Sequence, residues 1–413
     1  MKKLLIILGA GASIDFGMPT VNEIDKLFNN WASRHLPLAN NERENLYTWV
    51  KDKVIKRLEE KSENNISQKP NFEQTLFTIQ NIASISEDHN WGENHPINAF
   101  IDFKSFPEIL SHRNRKIADG MDFQYLIGYL IDDLIRYFRD KCSKLKENKS
   151  QEISKLKHLF ETLKEDYELG FINLNYDNVI LSTLPDLSTG FNKETGKFDT
   201  SEFYNNKWNF CYHLHGSVHF DTRSLNEIDH HHIFWQDELN KKFSPGAGQR
   251  RTNNSSSGIL HLNSNIITGL DKPSQLLKTP FKQYFSKLDQ LANEADSYLF
   301  IGYGFGDKHL NSSFPIHRYD DNKIRKAVVI DWASDETDGH FYRGDNWANG
   351  LTETLRCNAI LGNGIDGIPP KVKYYKDNKS FEFSPNKELP ISIWYNGLME
   401  ACDNAELIKK ELK

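Results

Sequence analysis

The chain opens on an unbroken apolar run. Leu4 to Leu8 are all apolar, Lys2 and Lys3 precede them, and the run stops at Gly9. A short run without alternation predicts a strand buried on both faces over Lys2 to Leu8. The period then changes. From about Val21 to Leu169 apolar positions recur at three and four, the spacing of core-facing helices. Asn71-Phe72-Glu73-Gln74 has the form of a capping box with Asn71 as N-cap. Phe72, Leu76, Ile79 and Ile82 fall on one face of the helix it starts. The strongest helical pattern runs from about Asp122 to Cys142, where Phe123, Leu126, Ile127, Leu130, Ile131, Leu134, Ile135 and Phe138 form a wide stripe.

Short apolar runs return at Phe171 to Leu174, Phe210 to Leu214, Tyr298 to Ile301 and Ala327 to Ile330, with a helical pattern from Pro280 to Asn293 among them. Each run ends at a polar or glycine-bearing turn. This order predicts an α/β fold: a Rossmann-like parallel sheet flanked by helices, with a long helical insertion after the first strand. The expected division is one discontinuous domain of residues 1–35 and 168–345, a helical subdomain of 36–167 and a C-terminal extension of 346–413. Asn148 to Gln151 reads as a helix–helix connection. Ser244 to Gly258, rich in glycine and serine, reads as a mobile loop. Ser392 to Lys413 reads as a terminal helix docked by Trp394, Leu398, Ala401 and Leu407.

Composition narrows the classes. Over 413 residues the chain is 38% hydrophobic and 26% charged, unlike collagenous or disordered proteins. A net charge of −6 argues against a chain built to coat nucleic acid, so no sequence-specific nucleic-acid binding is expected. No apolar run approaches the roughly 18 residues of a membrane span, and no membrane partner is expected. The first apolar run is shorter than the core of a signal peptide, which predicts a cytoplasmic protein starting near Met1. The four cysteines, Cys142, Cys211, Cys357 and Cys402, include no CxxC pair, so a four-cysteine zinc module is not available.

Candidate chemistry gathers at the predicted strand ends. Gly9-Ala10-Gly11-Ala12-Ser13 follows the first strand, where glycines let backbone approach a phosphate and a helix start offers free N–H groups; a purely structural turn is the alternative. The dinucleotide fingerprint GxGxxG would require glycine at position 14, where the chain has Ile14, and this disfavours a plain dehydrogenase. His215 suits a proton acceptor because imidazole titrates near neutral pH. Asn175 offers an amide oxygen and two N–H donors. Asp177 either binds a ligand hydroxyl or amide or caps the next helix. His213, His215 and His219, with Asp229 and the cluster His230 to His232 beyond, raise the question of a metal. A strand entering a site accounts for His213 and His215, and no metal is expected.

Several of these strings, in this order, resemble the motifs of the sirtuin-like superfamily. Gly9, Gly11, Ser13, Gly17 and Pro19 have the spacing of the first sirtuin motif. Leu174-Asn175-Tyr176-Asp177 is similar to the Asn-x-Asp element, and Leu214-His215-Gly216-Ser217 to the catalytic His-Gly. Gly302-Tyr303-Gly304-Phe305-Gly306-Asp307 occupies the place of the Gly-Thr-Ser turn, and Val329-Ile330-Asp331 resembles the strand end that reaches the adenosine ribose. The Tyr176-Asp177 pair, the glycine-aromatic turn and the helical insertion look like the sirtuin-like NAD hydrolases of bacterial anti-phage systems. Protein deacylases of the superfamily read Gly-Ile-Pro-Asp-Phe-Arg where this chain has Gly17-Met18-Pro19-Thr20-Val21-Asn22, and they carry the zinc module missing here.

The resemblance implies an enzyme with NAD as substrate, cleaved to nicotinamide and ADP-ribose. It implies Asn175 and His215 as catalytic residues. Gly9, Ala10, Gly11, Ser13, Pro19, Thr20, Asp177, Gly302, Tyr303, Gly304, Phe305 and Asp331 are the expected NAD contacts. It also implies abortive infection by NAD depletion, activity restrained until a trigger arrives, homo-oligomerisation, and a partner such as a ring-forming ATPase or another phage-sensing protein. Trp49, Trp91 and Trp394 are candidate interface anchors. The rival readings are an NAD-dependent deacylase or ADP-ribosyltransferase, and a sensor that binds NAD or ADP-ribose without turnover.

Overall fold

The computed structural model describes every residue except 42, 62–69, 86–105, 112–113, 206, 224–231, 242–252, 255–259, 262–264, 269–275, 277, 315–324, 334–335, 338–339, 342–344, 356–370, 376–377 and 384–389. Trp91, Cys357, His230, His231 and most of Ser244 to Gly258 therefore lie outside the described residues. The chain divides into two compact units, one of residues 1–18, 141–217 and 279–413, the other of 19–140 and 218–278. These bounds differ from the expected cuts at 36, 168 and 346. The last strand belongs to the sheet of the first unit, and the helix Ser150–Lys164 lies in that unit as well.

The first unit is built on an eight-stranded sheet. In chain order its strands are β1 (Lys2–Leu8), β2 (Tyr167–Asn173), β3 (Phe210–His213), β4 (Ser297–Ile301), β5 (Lys326–Ile330), β6 (Lys371–Tyr375), β7 (Asn378–Phe383) and β8 (Ile391–Trp394). Their spatial order is β3-β2-β1-β4-β5-β8-β7-β6. The six strands from β3 to β8 in that order run parallel, and β7 and β6 are antiparallel additions. The fold is thus α/β with a six-stranded parallel core and helices between β1 and β2. Leu4 to Leu8 are at most 1% exposed, because β1 is central and both its faces are covered; this is why its sequence does not alternate.

The register brings the strand ends level. Asn173 pairs with His213 and with Leu8, Leu8 with Ile301, Ile301 with Ile330, and Ile330 with Trp394. One row of partners therefore crosses six strands at their carboxyl ends. The next residues continue the ladder: Leu214 N donates to Asn173 O, Leu174 N to Leu8 O, Gly9 N to Ile301 O, Gly302 N to Ile330 O and Asp331 N to Trp394 O, all between 2.8 and 3.0 Å. The loops that bear the candidate chemistry leave from this row. Between β1 and β4 the order of connection reverses, the usual place for a ligand in an open parallel sheet.

The tail is not one helix. Ser392 and Trp394 lie on β8, buried between β5 and β7, and two short helices follow, Leu398–Asp403 and Ala405–Leu412. The apolar run Ile391 to Trp394 is too short to separate strand from helix by period alone. The second of these helices is anchored where Tyr167 Oη and Ser297 Oγ donate to Leu412 O at 2.8 and 3.1 Å. The expected connection at Asn148 to Gln151 shrinks to Lys149, between the helices Leu145–Asn148 and Ser150–Lys164.

The second unit is mainly helical, with helices Val21–His35, Leu46–Lys61, Phe72–Ile85 and most of Gly120–Ser143. The expected capping box forms: Gln74 N donates to Asn71 Oδ1 and Asn71 N to Gln74 Oε1, both 2.9 Å. All eight stripe residues of Gly120–Ser143 are at most 4% exposed. Burying each is worth about 1.5–3 kcal/mol relative to exposure. A hairpin of Glu108–Ser111 with Asn114–Ile117 interrupts the helices; its segments are too short and polar to stand out in the sequence. Arg139, 3% exposed, donates to four backbone carbonyls, of Val218, Glu238, Leu239 and Lys241, and ties the helix to the second chain segment of this unit. Among the described residues no helix is long and apolar enough to cross a membrane.

Candidate active site

The glycines after β1 and β4 are needed by one another. Gly11 N donates to Gly302 O at 3.0 Å, and the two turns pack backbone against backbone. A Cβ on Gly302 would stand 2.2 Å from Ala12 N, and one on Gly9 2.5 Å from Gly302 O. Gly302 also has φ +57, which a side chain disfavours. Loop-to-loop packing thus accounts for these glycines without a bound phosphate. Strand β1 leads into one turn of 3₁₀ helix, Ala10–Ser13, and not into the long helix whose dipole a phosphate would use. Of the turn after β4, Tyr303 and Phe305 are 3% and 2% exposed and face the core. Phe305 packs on Phe300, Tyr303 and Trp347, and Tyr303 Oη donates to Asn311 Oδ1 at 2.6 Å. Gly304 and Gly306 are exposed, each with nothing near its missing Cβ.

Asn175, just beyond β2, reaches back to the first turn. Its Nδ2 donates to Gly9 O at 2.8 Å and to Ser13 Oγ at 2.9 Å. A carbonyl only accepts, so the nitrogen must face Gly9. Both amide donors are therefore committed to the turn, and Oδ1 is what remains for another molecule. Asp177 takes the helix-start alternative: it is 1% exposed and its Oδ1 accepts from Val179 N at 3.0 Å, at the start of the short helix Val179–Thr183. Burial holds its carboxyl above the ordinary carboxylate value, with the Ser13 hydroxyl and the Val179 N–H pulling the other way.

His213 closes β3 fully buried, its Nδ1 3.4 Å from Asn173 Nδ2. His215 stands in the turn beyond, 4% exposed. The next residue, Gly216, has φ +96, a backbone that a larger residue would strain. His215 Nε2 faces Asp307 Oδ2 across 4.0 Å, too far for a hydrogen bond. The donor atoms of His215, Asp307 and His309 all lie within 4.8 Å of one another. Strands β3 and β4 are separated by β2 and β1, about 14 Å at the usual strand spacing. Their loops must therefore lean together over the sheet edge to make this cluster. Sequence reasoning left Asp307 and His309 out of the candidate set; Asp307 closes the glycine-aromatic turn and was the available signal.

Asp331, 7% exposed, follows β5, with its Oδ1 accepting from Trp332 N at 2.7 Å and its carbonyl from Gly397 N at 2.9 Å. Beside it the Trp332 side chain is 58% exposed, a further residue absent from the sequence-based candidates. Pro19 and Thr20 belong to the other compact unit. Thr20 there is a helix N-cap: Oγ1 accepts from Glu23 N at 3.3 Å and donates to Glu23 Oε2 at 2.9 Å, so the hydroxyl expected to meet NAD is already engaged both ways. His219 is also in that unit. It stacks on Trp235 at 4.5 Å, its Nδ1 lies 2.9 Å from Gln236 O, and burial pushes its pKa down to about 4. His219 is therefore a neutral structural residue. Buried Cys142, Cys211 and Cys402 have thiols raised by burial, unsuited to nucleophilic work.

Residues 170–346 match the SIR2-like domain family. The match spans less than half of the chain and takes in the loops after β2, β3, β4 and β5. No curated protein matches the chain. A SIR2-like domain implies NAD-related activity.

Proposed function

We propose that the protein is an NAD glycohydrolase, with His215 as proton acceptor and Asn175 as the residue that orients water or ribose. The observation that carries this reading is the level row of strand ends. It sets Gly9–Ser13, Asn175, His215 and Gly302–Asp307 at one edge of a parallel sheet, around its reversal point. The reaction takes NAD and water to nicotinamide, ADP-ribose and a proton. The bond between the ribose anomeric carbon and the nicotinamide nitrogen breaks, and its electron pair leaves with nicotinamide. The ribose carbon passes through an oxocarbenium-like state, as in other glycosidic cleavages. Water adds to that carbon and gives its proton to His215, which passes it to solvent. Asn175 can contribute only its oxygen, because its nitrogen is held by Gly9 and Ser13; this suits it to accept from water or a ribose hydroxyl. In this reading Gly9 to Ser13 and Gly304 lie along the diphosphate, Asp331 takes the adenosine ribose, and Trp332 offers its exposed face to adenine.

Control by assembly belongs to the same proposal, since NAD depletion is toxic to the cell that makes the enzyme. Of the candidate anchors, Trp394 is 2% exposed, and Trp49 is half-buried and packs on Phe106 and Phe123. Tyr125 and Tyr129, each 39% exposed and stacked on one helix, are the better candidates. A self-associated state that favours the competent site would give activity that rises with protein concentration, or with an ATPase or other phage-sensing partner.

The deciding experiment incubates the full chain with NAD alone and quantifies nicotinamide and ADP-ribose, across protein concentrations and alongside light scattering. Equal release of both products is expected. Nicotinamide release that requires an acyl-lysine peptide or an acceptor protein would overturn the hydrolase reading in favour of a transferase. Tight NAD binding with no product would favour a sensor.

A further inference from the structure

The trio His215, Asp307 and His309 has more chemistry than a base needs. Two imidazoles and a carboxylate are the donors of a zinc site that keeps an open coordination position. One donor is buried and two are partly exposed, so an ion has access. The segment bearing two of them is braced. Leu310 N and Asn311 N donate to Asp307 O at 3.0 and 2.9 Å, and Asn311 Nδ2 donates to Phe305 O at 2.9 Å. His309 rests against the Phe285 ring at 5.3 Å. Such supporting contacts hold ligands in place before the metal arrives. Donors of a tetrahedral site with bonds of about 2.0–2.2 Å stand roughly 3.3 Å apart. The donors now lie within 4.8 Å of one another, with 4.0 Å between His215 and Asp307, so binding would have to draw them together by side-chain rotation.

We propose that His215, Asp307 and His309 form a transition-metal site of the zinc class, and that metal bound there shuts off the reaction. The inhibitory sign rests on the NAD-hydrolase reading. A metal takes the His215 lone pair that would accept the water's proton. It also places a divalent positive charge beside the ribose carbon, onto which the positive charge of the nicotinamide moves in the transition state.

The test uses the full chain, stripped with chelator and titrated with cobalt(II). A one-to-one visible absorption band, removed by zinc, is expected. His309→Ala and, as a gentler change, His309→Gln should weaken metal binding at least tenfold, with circular dichroism confirming the fold. Zinc should inhibit NAD cleavage by the unchanged chain, and chelator should restore it. His309→Ala should cleave NAD at the unchanged rate when metal-free and resist zinc. An identical band in the His309 variants, or no band at all, would overturn the site. Zinc that leaves the rate unchanged or raises it, with the band present, would overturn the inhibitory role. The cobalt titration needs no turnover, so a chain that fails to cleave NAD leaves the site itself still tested.

Discussion

Polar side chains at the carboxyl edge of the sheet tie loops to loops. Asn175 joins the turn after β2 to the turn after β1, and His215 faces Asp307 from a loop that starts three strands away. In the unit of residues 19–140 and 218–278 the same kinds of residue cap helices and satisfy backbone groups within the unit. Thr20 and Asn71 cap helices, Arg139 closes four carbonyls, and His219 is stacked and bonded to backbone. The two histidines show the difference best. They stand four residues apart in sequence and both are buried, yet one faces a carboxylate just beyond a strand end and the other is stacked on Trp235 and held by a backbone carbonyl. Residue type thus says little about role; the partner across the gap decides it.

The contrast predicts that substitutions at the sheet edge cost rate and substitutions in the other unit cost stability. The largest effect should come from His215→Ala. Loss of a general base typically lowers the rate about 10²–10⁴-fold, with melting temperature little changed. A folded variant with near-normal nicotinamide release would break the assignment. Asn175→Ala should cost about 10²-fold through lost positioning, with kcat falling more than KM rises. Asn175→Asp should behave almost as badly, because a carboxylate cannot donate to Gly9 O. Failure of Asn175→Ala to bind NAD at all would instead make Asn175 an anchor for the substrate.

His219 gives the pH-dependent case. Its folded pKa of about 4 lies below the ordinary 6.5, so between those values the unfolded chain binds more protons. Its contribution is complete above about pH 6.5 and is lost as pH falls towards 4. The loss is of the order of 3 kcal/mol. His219→Gln should flatten this part of the stability profile in denaturant titrations. An unchanged slope would show that His219 is not the titrating group. At the sheet edge again, Trp332→Ala should raise KM for NAD roughly tenfold, within the range for loss of a base stack, with kcat preserved and Trp332→Phe recovering most of the loss. An equal fall in kcat would place Trp332 nearer the reacting bond. The smallest effect belongs to Thr20→Ala, about 1 kcal/mol of stability from a lost N-cap, with no change in KM. A raised KM would return Thr20 to the NAD contacts.

Local pattern determined the parts of this protein that depend on neighbours in sequence. The apolar run before Gly9 marks a strand covered on both faces. The three-four stripe of Phe123 to Phe138 marks a buried helix, and Asn71 with Gln74 marks a helix start. The strings around Asn175 and His215 were legible because glycine and polar residues end each strand. Tertiary structure decided everything that depends on which strands become neighbours. Only the register shows that Leu8, Asn173, His213, Ile301 and Ile330 end level. Only the contact of two turns shows that Gly9, Gly11 and Gly302 are glycines for each other's sake. β8 was hidden in the tail because Ile391 to Trp394 is short enough to read as helix or strand. Asp307 and His309 lie more than ninety residues beyond His215, and no spacing rule links them. They meet because β4 crosses to the far side of β1 and the loops after β3 and β4 then lean over the same edge.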